Sequence, residues 1–214
     1  MEKTELVFIL DKSGSMSGLE KDTIGGFNSL IEKQMKEEGE AVVTTVLFSD
    51  KMNFLHDRVD IKEVKTMTDK DYIPSGCTAL LDTIGNTINH VIKKQSELKD
   101  EYIPNKTMVI ITTDGLENAS QEFNYSKVKT LIEKQKEVGW EFIFLGANID
   151  VYQEAQKFGI NKDMAVEFIN DADGINVNYE SLNKAVHSYR VNGRVESNWR
   201  EDVDKDLSKR KNKK

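Results

Sequence analysis

Residues 6 to 18, Leu-Val-Phe-Ile-Leu-Asp-Lys-Ser-Gly-Ser-Met-Ser-Gly, decide the fold of this chain. The apolar run Leu6 to Leu10 ends in a turn rich in Gly and Ser, which is typical of a buried parallel strand that enters a loop. In open α/β sheets, ligands bind just beyond the carboxyl ends of such strands. Asp11, Ser13 and Ser15 place one carboxylate and two hydroxyls at this point. These hard oxygen donors suit Mg²⁺, Mn²⁺ or Ca²⁺ better than zinc.

The same residues have a second interpretation. Asp and Ser are common N-caps and turn formers, so Asp11, Ser13 and Ser15 could serve only to turn the chain into the next helix. Taken alone, this stretch does not decide between a cation site and a helix cap.

Two later segments favour the cation site. Ser75-Gly76-Cys77-Thr78 puts a threonine in a tight loop immediately before a helical pattern, and as a loop residue Thr78 is expected to be exposed. Thr107 to Thr113 is a second β-rich run, and it ends in Asp114-Gly115. In a doubly wound sheet all three loops can converge at one edge, where they would form a single site.

This set resembles the metal-ion-dependent adhesion site (MIDAS) of von Willebrand factor type A domains, whose pattern is Asp-x-Ser-x-Ser, a distant Thr and an Asp at a strand end. All five positions match in this chain: Asp11, Ser13, Ser15, Thr78 and Asp114. The resemblance covers residues 4 to 170. Family members often have Gly-Gly-Thr where this chain has Gly76-Cys77-Thr78, so a side chain at position 77 could crowd the loop.

The resemblance implies a bound divalent cation, Mg²⁺ in the first place, with Mn²⁺ or Ca²⁺ as alternatives. Ser13, Ser15 and Thr78 would ligate it directly, while Asp11 and Asp114 would act through water or as anchors behind the ligands. Mg²⁺ prefers six ligands and keeps several waters. In this family the open position accepts a carboxylate from a partner protein. The implied function is therefore metal-dependent protein–protein recognition, with a partner that offers an Asp or a Glu.

Two other functions stay open. One is a Mg²⁺-dependent phosphoryl-transfer or hydrolase activity on the same five residues. A haloacid-dehalogenase-like phosphatase needs a second Asp where Ser13 stands, and metal-assisted hydrolysis needs a base, for which Glu117 is the nearest candidate. We therefore expect a protein that is not an enzyme. The other function treats the site as vestigial and the charged C-terminal tail as the interaction element.

Composition narrows the class of protein. The chain has 214 residues and a net charge of −7, which gives no electrostatic footprint for nucleic acid. No apolar stretch is long enough to cross a bilayer, and no signal-peptide hydrophobic region precedes the first strand. The single cysteine, Cys77, excludes an internal disulfide. These features predict a cytoplasmic protein without deciding its oligomeric state. The resemblance is to stand-alone, intracellular members of the family of bacterial or phage type.

Helical and strand patterns alternate along the chain. Strands are predicted at residues 6–10, 41–48, 52–56, 107–112, 140–145 and 164–169. Helices are predicted at 24–35, 81–95, 128–138, 151–158 and 182–189. This order predicts an α/β fold, doubly wound and Rossmann-like, with a mostly parallel sheet and helices on both faces. The family resemblance implies about six strands with one antiparallel edge strand.

The C-terminal region differs in composition from the rest. We predict a single domain over residues 1–192, including a C-terminal helix, followed by a charged and flexible tail over residues 193–214. Residues 200 to 214 are almost wholly charged and end in Lys-Arg-Lys-Asn-Lys-Lys. Such a run is usually solvated, and a docking arm for an acidic partner is the alternative.

Overall fold

The computed structural model describes residues 3–211, which contain one six-stranded sheet of order β3-β2-β1-β4-β5-β6. Its strands are β1 (Lys3–Asp11), β2 (Glu40–Phe48), β3 (Met52–Asp60), β4 (Lys106–Thr113), β5 (Trp140–Gly146) and β6 (Ala165–Glu167). Within the described range, all neighbouring strands pair in parallel except β2 and β3. The predicted doubly wound sheet with one antiparallel edge strand is confirmed.

Six α-helices cover the two faces of the sheet within the described residues. They are α1 (Glu20–Met35), α2 (Leu80–Ser96), α3 (Tyr125–Glu137), α4 (Val151–Lys157), α5 (Ala172–Asn192) and α6 (Glu201–Lys211). Helices α1, α5 and α6 pack on one face, and α2, α3 and α4 pack on the other. No helix between residues 3 and 211 combines the length and the apolar character that crossing a bilayer requires.

Strand β1 lies at the centre of the sheet and is buried on both faces. Phe8 contacts Phe27 of α1 edge to face, with ring centroids 5.4 Å apart, whereas Ile9 belongs to the core beneath α2 and α3. A strand covered on both sides needs apolar residues at every position rather than at alternate ones. This requirement explains the unbroken apolar run of Leu6–Leu10.

The strand order fixes where a ligand site can form. From β1 the chain builds the sheet first toward β2 and β3, and then crosses to β4 on the other side. The carboxyl ends of β1 and β4 are therefore neighbours at the point where the direction of winding reverses, which is where open α/β sheets bind ligands. Asp11 ends β1, and Asp114 follows the last residue of β4.

Several element boundaries differ from the prediction. Strand β3 continues to Asp60, and β6 contains only Ala165–Glu167. Helix α5 begins ten residues before the predicted start, because the Asp171 side chain caps it by accepting a hydrogen bond from Gly174 N at 2.8 Å. Local capping chemistry, rather than apolar periodicity, sets this start.

The segment predicted to be a flexible tail also differs in its described part. Residues 201–211 form α6, and Trp199 and Val203 are each only 2% exposed. Trp199 Nε1 donates to Asp163 O at 3.0 Å, and Arg210 pairs with Asp171 at 2.6 Å. A few apolar anchors, together with ion pairs to the body of the domain, hold a helix that is otherwise charged. The last residues of the predicted flexible tail, which include Lys213 and Lys214, lie outside the described residues.

We expect Trp199→Ala to destabilise the protein by about 3 to 5 kcal/mol, because it removes a large buried side chain and its hydrogen bond. Lys209→Ala, on the exposed side of α6, is the control and should change the free energy of unfolding by less than about 0.5 kcal/mol. Urea denaturation measures both variants. Equal unfolding midpoints for Trp199→Ala and Lys209→Ala would show that the buried side chain of Trp199 contributes nothing to the folded core.

Candidate metal site

The Asp11 carboxylate is held by one donor on each oxygen. Ser13 N donates to Oδ1 at 2.7 Å, and Thr113 Oγ1 donates to Oδ2 at 2.6 Å. The Tyr72 hydroxyl donates to the Asp11 carbonyl oxygen. The first bond folds the loop back on the strand end, and the second joins β1 to β4. The side chain of Asp11 is therefore fixed before any ligand binds.

The Asp114 carboxylate is held in a similar way. Ser15 Oγ donates to Oδ1 at 2.5 Å, and Asn170 Nδ2 donates to Oδ2 at 2.9 Å. Ser15 Oγ also lies 3.1 Å from Ser13 Oγ. Hydrogen bonds thus connect four of the five predicted site residues, from Asp11 through the two serines to Asp114.

Thr78 reaches the same place from the loop before α2. Gly14 N donates to Gly76 O at 3.1 Å, which joins this loop to the Ser13–Ser15 turn. A Cβ atom placed on Gly115 would lie 3.7 Å from Thr78 Oγ1 and 3.9 Å from Ser15 Oγ, so both hydroxyls border the same small space. Thr78 is only 3% exposed, and the expectation of an exposed threonine is wrong.

The glycine that this loop needs is Gly76 rather than residue 77. Gly76 has φ +76°, and a Cβ atom there would collide with the Asp50 carboxylate. Cys77 is exposed, and it is not among the described non-glycine residues with positive φ, which are Arg58 and Asn148. A cysteine therefore fits at a position where relatives often have glycine, without crowding the loop.

The electrostatics of the site favour a cation. Asp11 and Asp114 are each 2% exposed, and within residues 3–211 neither forms an ion pair with a basic side chain. Burial raises the pKa of Asp11, the hydrogen bonds from Thr113 and Ser13 lower it, and the charge of Asp114 raises it further. Burying two carboxylates without a positive partner is costly. A divalent ion among these oxygens would remove that cost.

The donor set differs from metal sites that are built from clustered histidine, cysteine or acidic side chains. No group of three or more His, Cys, Asp or Glu side chains in the described part of the chain is arranged to hold a metal. The site instead offers two carboxylates and three hydroxyls. Hard cations that prefer oxygen fit such donors, so these residues are suited to the predicted ion.

Glu117, the candidate base, is fully occupied by structural hydrogen bonds. Its Oε2 accepts from Leu81 N at 2.8 Å and from Ser120 Oγ at 2.7 Å. Its Oε1 accepts from Ala119 N at 2.8 Å and from Ser120 N at 2.7 Å. This carboxylate fastens the loop after β4 to the first turn of α2. It has no capacity left for activating a water.

Sequence reasoning missed three residues that support the site: Tyr72, Thr113 and Asn170. Thr113 is hard to recognise because it lies within a β-branched run whose composition predicts a strand. Asn170 lies just beyond β6, at the same edge of the sheet as Asp11 and Asp114. Polar residues that follow each strand at this edge are the signal by which Asn170 could have been found.

Comparison with known proteins agrees with the fold. A structure of proximal thread matrix protein 1 from the mussel byssus, with a zinc-occupied MIDAS motif, matches with a TM-score of 0.60 and 16% identity, over 87% of this chain and 46% of that one. Manganese-loaded TRAP protein from Plasmodium vivax matches with a TM-score of 0.55 and 15% identity, over 82% and 71%. The von Willebrand factor domain of the pilus tip protein Mfa5 from Porphyromonas gingivalis matches with a TM-score of 0.58 and 10% identity, over 85% and 95%.

This chain spans about half the length of the mussel protein, and at such low identity the likeness concerns the fold. No curated protein sequence matches this chain. The sequence model of the von Willebrand factor type A domain family, however, matches residues 5–188, which is most of the sequence. The chain belongs to the von Willebrand factor type A domain family.

Proposed function

We propose that this protein binds a divalent cation, Mg²⁺ in the first place, and through it recognises a carboxylate on a partner protein. The residues that would hold the cation are Asp11, Ser13, Ser15, Thr78 and Asp114. One observation carries the proposal: two buried carboxylates lie at adjacent strand ends without a basic partner among residues 3–211, and serine hydroxyls bridge them. Such an arrangement is stable when a positive charge is bound among its oxygens.

The hydroxyl groups are oriented for this task. A hydroxyl has one proton and two lone pairs. Ser15 Oγ gives its proton to Asp114 Oδ1, which leaves its lone pairs available to a cation and to the neighbouring Ser13 Oγ. Because hydroxyl ligands are neutral, a bound cation would keep most of its positive charge for an anion from outside. A carboxylate is the protein side chain that supplies such an anion.

The relatives support the proposal without fixing the ion. The mussel structure has a zinc-occupied MIDAS motif, and the Plasmodium vivax structure is loaded with manganese. Mg²⁺ is our choice for this chain because all five donors are hard oxygens. The intact motif, a cytoplasmic location and a stand-alone bacterial or phage origin stay predictions of the sequence.

The geometry favours recognition over hydrolysis. Hydrolysis at a metal site needs a base that takes a proton from the attacking water. Glu117 is the nearest candidate, and all its hydrogen-bonding capacity goes to Leu81, Ala119 and Ser120. A carboxylate engaged in this way holds a loop in place and is poorly suited to proton transfer.

Mg²⁺ or Mn²⁺ should raise the melting temperature, since a ligand that binds only the folded state stabilises it. At about 100 times the dissociation constant the gain is about 2.7 kcal/mol, or about 5 to 10 °C for a domain of this size. Asp11→Asn keeps the shape of the side chain but removes its charge, and should abolish the shift. Asp100→Ala, which changes an exposed carboxylate before β4, at the opposite end of that strand from Asp114, should retain it. Differential scanning fluorimetry in the metal and in EDTA measures these shifts, and a wild-type curve indifferent to both metals contradicts the proposal.

Asn170→Ala should weaken cation binding about 10- to 100-fold, as expected for a group that orients a ligand from behind. The variant loses the donor that holds Asp114 Oδ2, while all five predicted site residues remain. Asn198→Ala, at an exposed asparagine, is the control and should bind as the wild type does. Titration with Mn²⁺, followed by its electron paramagnetic resonance signal, measures the affinities. Unchanged Mn²⁺ affinity in Asn170→Ala would remove Asn170 from the site.

Thr78→Val should stay folded without metal and lose Mg²⁺-dependent co-purification of the partner. Valine replaces the buried threonine with nearly the same volume, so the variant removes the hydroxyl without leaving a cavity. Thr66→Val, in an exposed loop, is the matched control. Affinity purification from the native host in Mg²⁺ and in EDTA provides the measurement, with circular dichroism as the test of folding. Capture that is equal for both variants, or unaffected by EDTA, would overturn recognition through a bridging metal.

A further inference from the structure

Two of the large exposed apolar residues lie on the loops that carry or adjoin the candidate metal site. Ile73 is 59% exposed and Leu116 is 55% exposed. Ile73 precedes the loop that carries Thr78, and Leu116 follows Asp114 by two residues. The other large exposed apolar residues of the described chain lie elsewhere, before β4 and β5 and near the end of α5: Tyr102, Ile103, Val138 and Val191.

The residues on both sides of Ile73 fix the position of its backbone, while its side chain is exposed. The preceding residue, Tyr72, is buried, and its hydroxyl donates to the Asp11 carbonyl oxygen. The following residue is Pro74, which restricts Ile73 to an extended backbone. Ser75 N then donates to Lys12 O at 2.9 Å. The exposed side chain therefore stands on a backbone that is fastened to the loop after β1.

Leu116 is held outward in the same manner on the β4 side. Gly115 lies against the hydroxyls of Thr78 and Ser15, and Glu117 is bound to the first turn of α2. Asn118 N donates to Thr78 O at 3.1 Å, and its side chain accepts from Thr78 N at 2.8 Å. A leucine exposed on so constrained a loop loses little freedom when another molecule covers it.

We propose that Ile73 and Leu116 form an apolar rim that selects partner segments in which the metal-binding Asp or Glu is flanked by apolar side chains. This inference rests on the proposed function and names the partner that it fits. Ile73 stands on the loop joined to β1, and Leu116 stands on the loop that follows β4, so the rim borders the site from both of its central strands.

The position of the rim argues for an external protein segment as its occupant. Because Ile73 and Leu116 lie next to residues that contact the site, a carboxylate that reaches the cation would bring its sequence neighbours toward these two side chains. In an extended segment, the residues two positions away point to the same face as the carboxylate. Apolar residues at these positions would be removed from water when they pack against Ile73 and Leu116. Polar residues there would lose their hydration without finding hydrogen-bond partners.

The test is selection of random nine-residue peptides, displayed on phage, against the immobilised protein in Mg²⁺, with elution by EDTA. On the wild type we expect enrichment of Asp or Glu, with apolar residues enriched within two positions of it. Ile73→Ser, Leu116→Ser and the double variant should still enrich Asp or Glu and lose the apolar preference. Val138→Ser, which removes a side chain that is 70% exposed and remote from the site, should select as the wild type does. A melting shift with Mg²⁺ verifies that each variant is folded.

The outcomes separate the two proposals. No enrichment of Asp or Glu on the wild type would overturn the proposed function and the rim with it. Three results would overturn the rim alone: acidic enrichment without apolar neighbours, an apolar preference that survives in the double variant, or an apolar preference that vanishes in Val138→Ser. Mg²⁺-dependent dimerisation lost in the double variant would make a second copy of the chain the occupant and overturn an external partner. In fluorescence polarisation, a selected peptide should bind each single variant about tenfold more weakly.

Discussion

Two carboxylates buried at adjacent strand ends impose the main constraint on this molecule. Asp11 and Asp114 have lost nearly all contact with water, and the negative charge of each disfavours the other. The chain compensates with neutral donors: Ser13 N and Thr113 for Asp11, and Ser15 and Asn170 for Asp114. These donors come from the loop after β1, the end of β4 and the segment after β6. The hydrogen bonds that stabilise these two carboxylates therefore connect separate loops into one structure.

The sheet makes this arrangement rigid. β1 is paired on both sides, along its whole length with β2 and along most of it with β4. Its last residue, Asp11, pairs with Phe48 of β2, and Leu10 before it is paired on both sides, so the position of the strand end is fixed. The loop that carries Thr78 is fastened in turn to the Ser13–Ser15 turn and to Asn118. Because the donors are fixed in advance, little conformational entropy remains to be lost when a ligand binds.

The sequence predicts those parts of the structure that depend on local patterns. Apolar runs that end in Asp11 and Asp114 indicate two parallel strands with carboxylates at one edge, and both strands form as expected. Thr78 has no such signal, since a threonine in a loop is ordinary, and its selection depended on the family pattern. Asn170 and Thr113 act through hydrogen bonds to residues more than 50 positions away, and no local pattern encodes such a contact.

Helix α6 was missed for a different physical reason. Its segment is almost wholly charged, and charge predicts solvation when it is averaged over a window. The buried residues Trp199 and Val203 lie four positions apart, and Leu207 follows at the same spacing, which is the repeat of one helix face. A narrow apolar stripe is enough to dock a helix when its charged neighbours find partners on the domain, as Arg210 does at Asp171 and Lys211 does at Glu167.

The neutral residues of the site matter as much as the charged ones. In the proposed function, the two carboxylates would balance one divalent cation and the three hydroxyls would add no charge, so an incoming carboxylate would meet no net negative field from these groups. An Asp in place of Ser13 would repel it. A Lys in place of Asn170 would pair with Asp114 and compete with the cation, whereas the amide of Asn170 holds the Asp114 carboxylate without neutralising it. Each of these positions carries a side chain that orients an oxygen while leaving the charge balance unchanged, and with a cation bound as proposed this balance would favour the capture of one external anion.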